Sequence, residues 1–142
     1  MKKTLLLLSA VLLLTNCSGS GNNYKNPYLP NYSFSTALNL NLPTYSGLKS
    51  PINPVFIPDN GSGVNMIVMK ISDTDYRAWD AYCPNQSPAS CSLMGLNGIN
   101  AKCSCEDSEY SLFTGIGTAN EDYSMRPYRV EIIDQNNIRV YN

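Results

Sequence analysis

The sequence contains no histidine. Its absence excludes Ser-His and Cys-His nucleophilic systems, His-ligated zinc and imidazole general-base catalysis. Basic runs are missing too: 10 Lys and Arg are spread along the chain against 11 Asp and Glu. Nucleic acid is therefore not an expected partner, because a phosphate backbone needs clustered cations. Helical periodicity is the third absence. Beyond residue 16 no segment of ten or more residues carries an apolar stripe at helical spacing, which together with short alternating segments predicts an all-β domain. A phosphate-cradling glycine loop is also lacking. "GIGTAN" (115–120) has Asn120 where a G-x-G-x-x-G motif needs its last glycine, and no helical pattern follows, so these are turn glycines. Glu106, Asp107, Glu109, Glu121 and Asp122 form an acidic group of the chemistry that calcium takes, but without the spacing of a calcium loop they read as a solvated acidic surface.

What is present begins with an N-terminal apolar run. Lys2 and Lys3 precede Leu5–Leu14, a core of about ten residues, too short for a permanent membrane span and suited to an export signal. "LLTNC" (13–17) follows and resembles the cleavage box of bacterial lipoproteins, in which the cysteine is lipid-modified and becomes the first mature residue. Asn16 departs from the Gly or Ala usual there. The resemblance implies a signal peptide at 1–16, lipidation at Cys17, and a place in the bacterial cell envelope, lipid-anchored to a membrane and facing the periplasm or the surface. Residues 1–16 carry two of the ten basic side chains and no acidic one, so the remaining 126 residues have a net charge of −3 and suit one domain. Residues 17–34, rich in Ser, Gly, Asn, Pro and Tyr, are expected to form a flexible tether, and 35–142 the folded domain. In such a setting "NQS" at Asn85 has little weight as a glycosylation acceptor.

Within the domain, "VNMIVMKI" (64–71) predicts a core strand, and "SDTD" turns it into a second strand, "YRAWDAY" (76–82), that leads directly to Cys83. Leu38, Leu40 and Leu42 alternate before prolines 43, 51, 54 and 58 break the chain into short strands and loops. Residues 83–105 show almost no periodic apolar pattern and read as loop. "YRVEII" (128–133) and "IRVY" (138–141) around "DQNN" predict a closing hairpin. Besides Cys17 the cysteines are Cys83, Cys91, Cys103 and Cys105, which an oxidising compartment would pair in any of three ways.

Two boxes, "CPN" (83–85) and "CSCEDSEYSLFTG" (103–115), resemble the two boxes of Rieske iron–sulfur domains. That family holds one iron of a [2Fe–2S] cluster by two cysteines and the other by two histidines, one of each from each loop. Cys83 and Cys103 match the thiolate ligands, whereas Asn85 and Glu106 stand in the histidine positions. Asp107 replaces the Gly after the second histidine, Ser108 matches a Ser, Tyr110 takes the aromatic position, and Thr114-Gly115 matches the family's turn. Cys91 and Cys105 match the pair that forms a disulfide bracing the two loops in high-potential members. The resemblance covers about residues 35–141 and implies a small antiparallel β-sandwich with a cysteine-bearing two-loop cluster-binding subdomain.

Amide and carboxylate are poor substitutes for imidazole on that iron. The expectation is accordingly a domain without the cluster, in which Cys83–Cys103 closes as a second disulfide beside Cys91–Cys105. Its expected role is non-enzymatic, a membrane-anchored binding or structural module whose tyrosines supply an interface and whose protein partner the sequence does not name. The competing expectation is an electron-transfer subunit with an atypical [2Fe–2S] cluster on Cys83 and Cys103. A thiol–disulfide catalyst using Cys103-Ser-Cys105 ranks below both, since no helix N-terminus is available to activate the thiol.

Overall fold

The computed structural model describes residues 24–142; the expected signal peptide at 1–16 and the expected lipidation site Cys17 lie outside the described residues. Nine strands follow in order: β1 (Ser35–Asn39), β2 (Val55–Ile57), β3 (Met66–Ser72), β4 (Asp75–Asp80), β5 (Gly95–Asn97), β6 (Asn100–Lys102), β7 (Glu109–Ser111), β8 (Pro127–Asp134) and β9 (Asn137–Tyr141). They form a six-stranded sheet of order β1-β9-β8-β4-β3-β2 and a three-stranded sheet β5-β6-β7, with every pairing antiparallel. The only helical element among the described residues is a 3-10 turn at Ser46–Lys49, which buries Leu48. The domain is all-β, as its period-2 segments require.

Strand β3 explains the architecture. Successive side chains point to opposite faces of a sheet, and here both faces are covered. Met66 and Val68 enter one core with Leu38, Ile57, Ala78, Tyr128, Ile138 and Val140. Ile67 and Met69 enter a second with Trp79, Cys83, Cys103, Tyr110 and Leu112. The first core takes a side chain from every strand of the large sheet, including its two edges, so the sheet must curl around it. The second lies on the other face of β3 and β4, and the small sheet with the cysteine loops closes it.

Two segments differ from the sequence expectation. Residues 83–105 contain the β5–β6 hairpin as well as loop, turning at Gly98 with φ +61°. All three residues of β5 are exposed, so it shows no apolar alternation that could have marked it. The second difference is at the expected tether. Residues 24–34 lie against the domain, with Leu29 and Phe34 buried. Buried Arg126 holds them, donating from Nη1 to Asn31 Oδ1 at 2.8 Å and from Nη2 to the Leu29 carbonyl.

The join between the two halves of the large sheet is narrow, with only Ala78 opposite Tyr128 and Trp79 opposite Pro127. A buried polar contact reinforces it. Asp80 accepts the Tyr128 hydroxyl at 2.7 Å and the Tyr82 N–H at 2.9 Å. Burial pushes the Asp80 carboxyl above its ordinary 3.8, with these two hydrogen bonds and the Arg126 charge pulling the other way. Burial, reinforced by the Asp80 charge, pushes the Tyr128 hydroxyl far up.

A carboxyl with a raised folded pKa stabilises below its unfolded value and loses that contribution as pH rises through the folded value. Compared with Asp80→Asn, the native chain is thus expected to lose stability progressively as pH rises from about 4 to neutrality. Urea unfolding followed by the fluorescence of Trp79, the single tryptophan, measures it; a difference between the two proteins that is the same at both pH values would refute the assignment.

Candidate functional site

The cysteines occupy two loops over the second core. The first, between β4 and β5, is closed at its neck like a hairpin. Cys83 N–H donates to the Ser92 carbonyl and Met94 N–H to the Ala81 carbonyl, both at 2.8 Å. Buried Ser92 also fastens the tip. Its hydroxyl accepts Gln86 Nε2 at 2.9 Å and Ala89 N–H at 2.8 Å, and donates to the Ser87 carbonyl at 3.2 Å. A serine serves here because a hydroxyl can donate once and accept twice.

The second loop, between β6 and β7, is tighter. Cys103 N–H donates to the Ser108 carbonyl at 2.8 Å. Asp107 takes φ +60°, a left-handed conformation that disfavours most side chains but is less costly for aspartate. Its carboxylate pairs with Lys102 at 2.7 Å. That hydrogen-bonded lysine holds the Asp107 carboxyl below, and its own ammonium above, their ordinary values.

Two disulfides join the loops. Cys83 and Cys103 are bonded with Cα atoms 5.8 Å apart, and Cys91 and Cys105 with Cα atoms 5.4 Å apart. Their surroundings differ sharply. Cys83 and Cys103 are each 0 % exposed within the second core, whereas Cys91 and Cys105 both lie at the surface.

Asn85 and Glu106 do not come together as a pair. The Asn85 amide is spent on its neighbours: Nδ2 donates to the Tyr110 hydroxyl at 2.7 Å and to the Tyr123 carbonyl at 3.0 Å, and Oδ1 accepts the Tyr123 N–H at 2.9 Å. It thereby clasps residue 123 as a strand neighbour would. Glu106 is exposed to solvent. The acidic group disperses in the same way, Asp107 to Lys102, Glu109 to the amides of Asn97 and Asn100, and Glu121 to the Ala119 N–H. Among the described residues no three His, Cys, Asp or Glu side chains converge on a point where a metal ion could sit. The donors at the four cluster-matching positions do not fit a [2Fe–2S] group: two sulfurs are bonded to each other, an amide is saturated, and a carboxylate faces water.

The turn after the second box has a packing role. Gly115 has φ +73°, and a Cβ there would lie 2.4 Å from Cζ3 of Trp79. Trp79 is held in turn by its indole N–H, which donates to the Leu112 carbonyl at 2.9 Å. Gly115 also ties the turn down, since its N–H donates to the Ser111 carbonyl and its carbonyl accepts the Met125 N–H. Ser92, Tyr123 and Arg126 escaped the sequence reading. Their partners lie in distant segments or inside a loop without periodicity, and no local pattern marks them.

Two outcomes follow from this geometry. Gly115→Ala combines a clash with the indole and an unfavourable φ, and is expected to cost about 2–4 kcal/mol in denaturant unfolding; a cost near zero would contradict the close packing. Graded reduction with alkylation and mass mapping should label Cys91 and Cys105 first and Cys83 and Cys103 only on unfolding, because exchange requires access of the attacking thiolate. Simultaneous labelling of all four would refute this ranking.

No family model and no curated protein matches the chain. Among solved structures it is similar to a protein described as an NADH-dependent nitrite reductase small subunit from Mycobacterium tuberculosis, at 16 % identity and TM-score 0.48, covering 79 % of this chain and 97 % of that one. It is similar also to the ferredoxin of carbazole 1,9a-dioxygenase from Nocardioides aromaticivorans, at 20 % identity and TM-score 0.48, over 75 % of this chain and 97 % of that one. The Escherichia coli protein NirD matches at 12 % identity and TM-score 0.42, over 66 % and 86 % of the two chains.

Proposed function

We propose that this chain is a Rieske-like, lipid-anchored envelope protein that works without an iron–sulfur cluster, as a disulfide-stapled binding or structural module. The observation that carries the reading is the Cys83–Cys103 bond, buried at the two positions that the sequence resemblance assigns to thiolate ligands. A thiolate committed to a disulfide cannot ligate iron. The two positions that should supply imidazole support the same reading, because the Asn85 amide is fully engaged and Glu106 faces solvent.

The chemistry left to the site is mechanical. Cys83–Cys103 and Cys91–Cys105 close loops with sequence separations of 20 and 14 residues. On the chain-entropy account each contributes about 3 kcal/mol by restricting the unfolded chain. That contribution suits a small domain whose second core is closed by short strands and loops. The lipid at Cys17 rests on "LLTNC" alone, and the envelope location follows from it.

The full-length protein, expressed in a bacterial host and purified without oxygen from its membranes, tests both parts. The expected result is acylated Cys17, no iron or acid-labile sulfide, no free thiol among the other four cysteines, and no visible absorbance. Stoichiometric iron and sulfide with free Cys83 and Cys103 would overturn the cluster-free reading in favour of an electron carrier. An unacylated chain would overturn the anchoring.

A further inference from the structure

Residues 24–31 form a strap across the end of the domain that carries the first cysteine loop. Asn26 Nδ2 donates to the Pro84 carbonyl at 2.7 Å, and its Oδ1 accepts the N–H groups of Tyr28 and Leu29 at 2.8 and 3.0 Å. The Tyr24 hydroxyl donates to the Ser124 carbonyl, and the Arg126 guanidinium lies 4.9 Å above the Tyr24 ring. Tyr28 meets Tyr123 edge-on at 5.9 Å. The first pinned residue, Tyr24, is only seven residues beyond Cys17. Seven residues span at most about 25 Å. An acyl chain at Cys17 would therefore keep the strap end of the domain within about 25 Å of the bilayer surface.

That end has the chemistry of a surface that rests on headgroups. Tyr28 and Tyr32 are 38 % and 48 % exposed although large and largely apolar. With Tyr24, Tyr123, Pro27 and exposed Lys25 they border or adjoin an open groove of about 720 Å³. Tyrosine offers an apolar ring and a polar tip, which favours the zone between acyl chains and water, and lysine adds attraction to phosphate. We infer that this tyrosine face is a bilayer-contacting surface, so that the strap sets the orientation of the domain on its membrane as well as joining it to the lipid. The inference rests on the anchoring part of the proposed function, and its partner is a phospholipid headgroup layer.

The test uses the full-length, membrane-extracted protein reconstituted into phosphatidylcholine vesicles containing headgroup spin-labelled lipid. Three variants each add one tryptophan: Tyr28→Trp and Tyr32→Trp on the strap face, and Ile133→Trp on the β8–β9 hairpin. Ile133 is 54 % exposed. It lies far from the strap, because Asn142, at the opposite end of β9, donates to Asn31 and Tyr32. Four strand steps, about 14 Å, separate the two ends of β9. Trp79, buried in every variant, gives a common background.

The expected result is loss of emission for both strap variants and none for Ile133→Trp. Vesicle-bound protein with no quenching on the strap face, or with equal quenching at all three sites, overturns the orientation and leaves the anchoring intact. Protein that carries no acyl group and does not float with vesicles overturns the anchoring reading, and this inference with it.

Discussion

The bond between Cys83 and Cys103 sits where three pieces of chain meet. Cys83 lies just after β4, Cys103 just after β6, and both stand in the second core with Ile67 and Met69 from β3. The small sheet depends on this contact. Its strands have three residues each, and a sheet of that size has too little apolar surface to stand alone. It is held because Ala101 and Tyr110 enter the second core and because a covalent bond fixes its loop to Cys83, three residues beyond the strand that carries Trp79. Gly115 completes the arrangement from the other side, bringing backbone against the indole where any side chain would intrude.

This dependence separates the two disulfides by function. The buried one joins structural layers, and water or thiols cannot reach it without opening the core. The exposed one joins loop tips that already have their own supports, Ser92 in the first loop and the Cys103–Ser108 hydrogen bond in the second. Its loss would loosen the loops while leaving the two-core architecture to the bond beneath it.

Much of this arrangement was legible in the residues. Residues 66–69 are apolar on successive positions because both faces of the strand are covered there, and the sequence shows that as an unbroken run. The closing hairpin was legible for the opposite reason, with Ile138 and Val140 turned inward on either side of exposed Arg139. The β5–β6 hairpin was not, since β5 buries none of its residues and the turn Asn97-Gly98 was the sole local sign. The strap was equally hidden. Its composition is that of a linker, and what binds it is a set of contacts between residues 58 to 100 positions apart in sequence, Arg126 to Asn31 and Leu29, Asn26 to Pro84 and Tyr24 to Ser124. Such long-range polar contacts leave no periodicity to read.

The four positions matched to cluster ligands in the sequence differ in their surroundings. Position 85 faces inward, and its amide makes three hydrogen bonds that join the first loop to residues 110 and 123. Position 106 faces outward, where a carboxylate keeps its hydration and needs no partner. Asp107 beside it holds a left-handed turn that glycine would accept at lower cost. Its exposed pairing with Lys102 contributes little stability by itself, so the shape of the second loop rests on the disulfides and the Ser108 carbonyl. The site therefore divides into an interior half, saturated by sulfur and amide, and an exterior half that is solvated and charged. The interior half joins the first loop, against which the strap lies, to residues 103, 110 and 123.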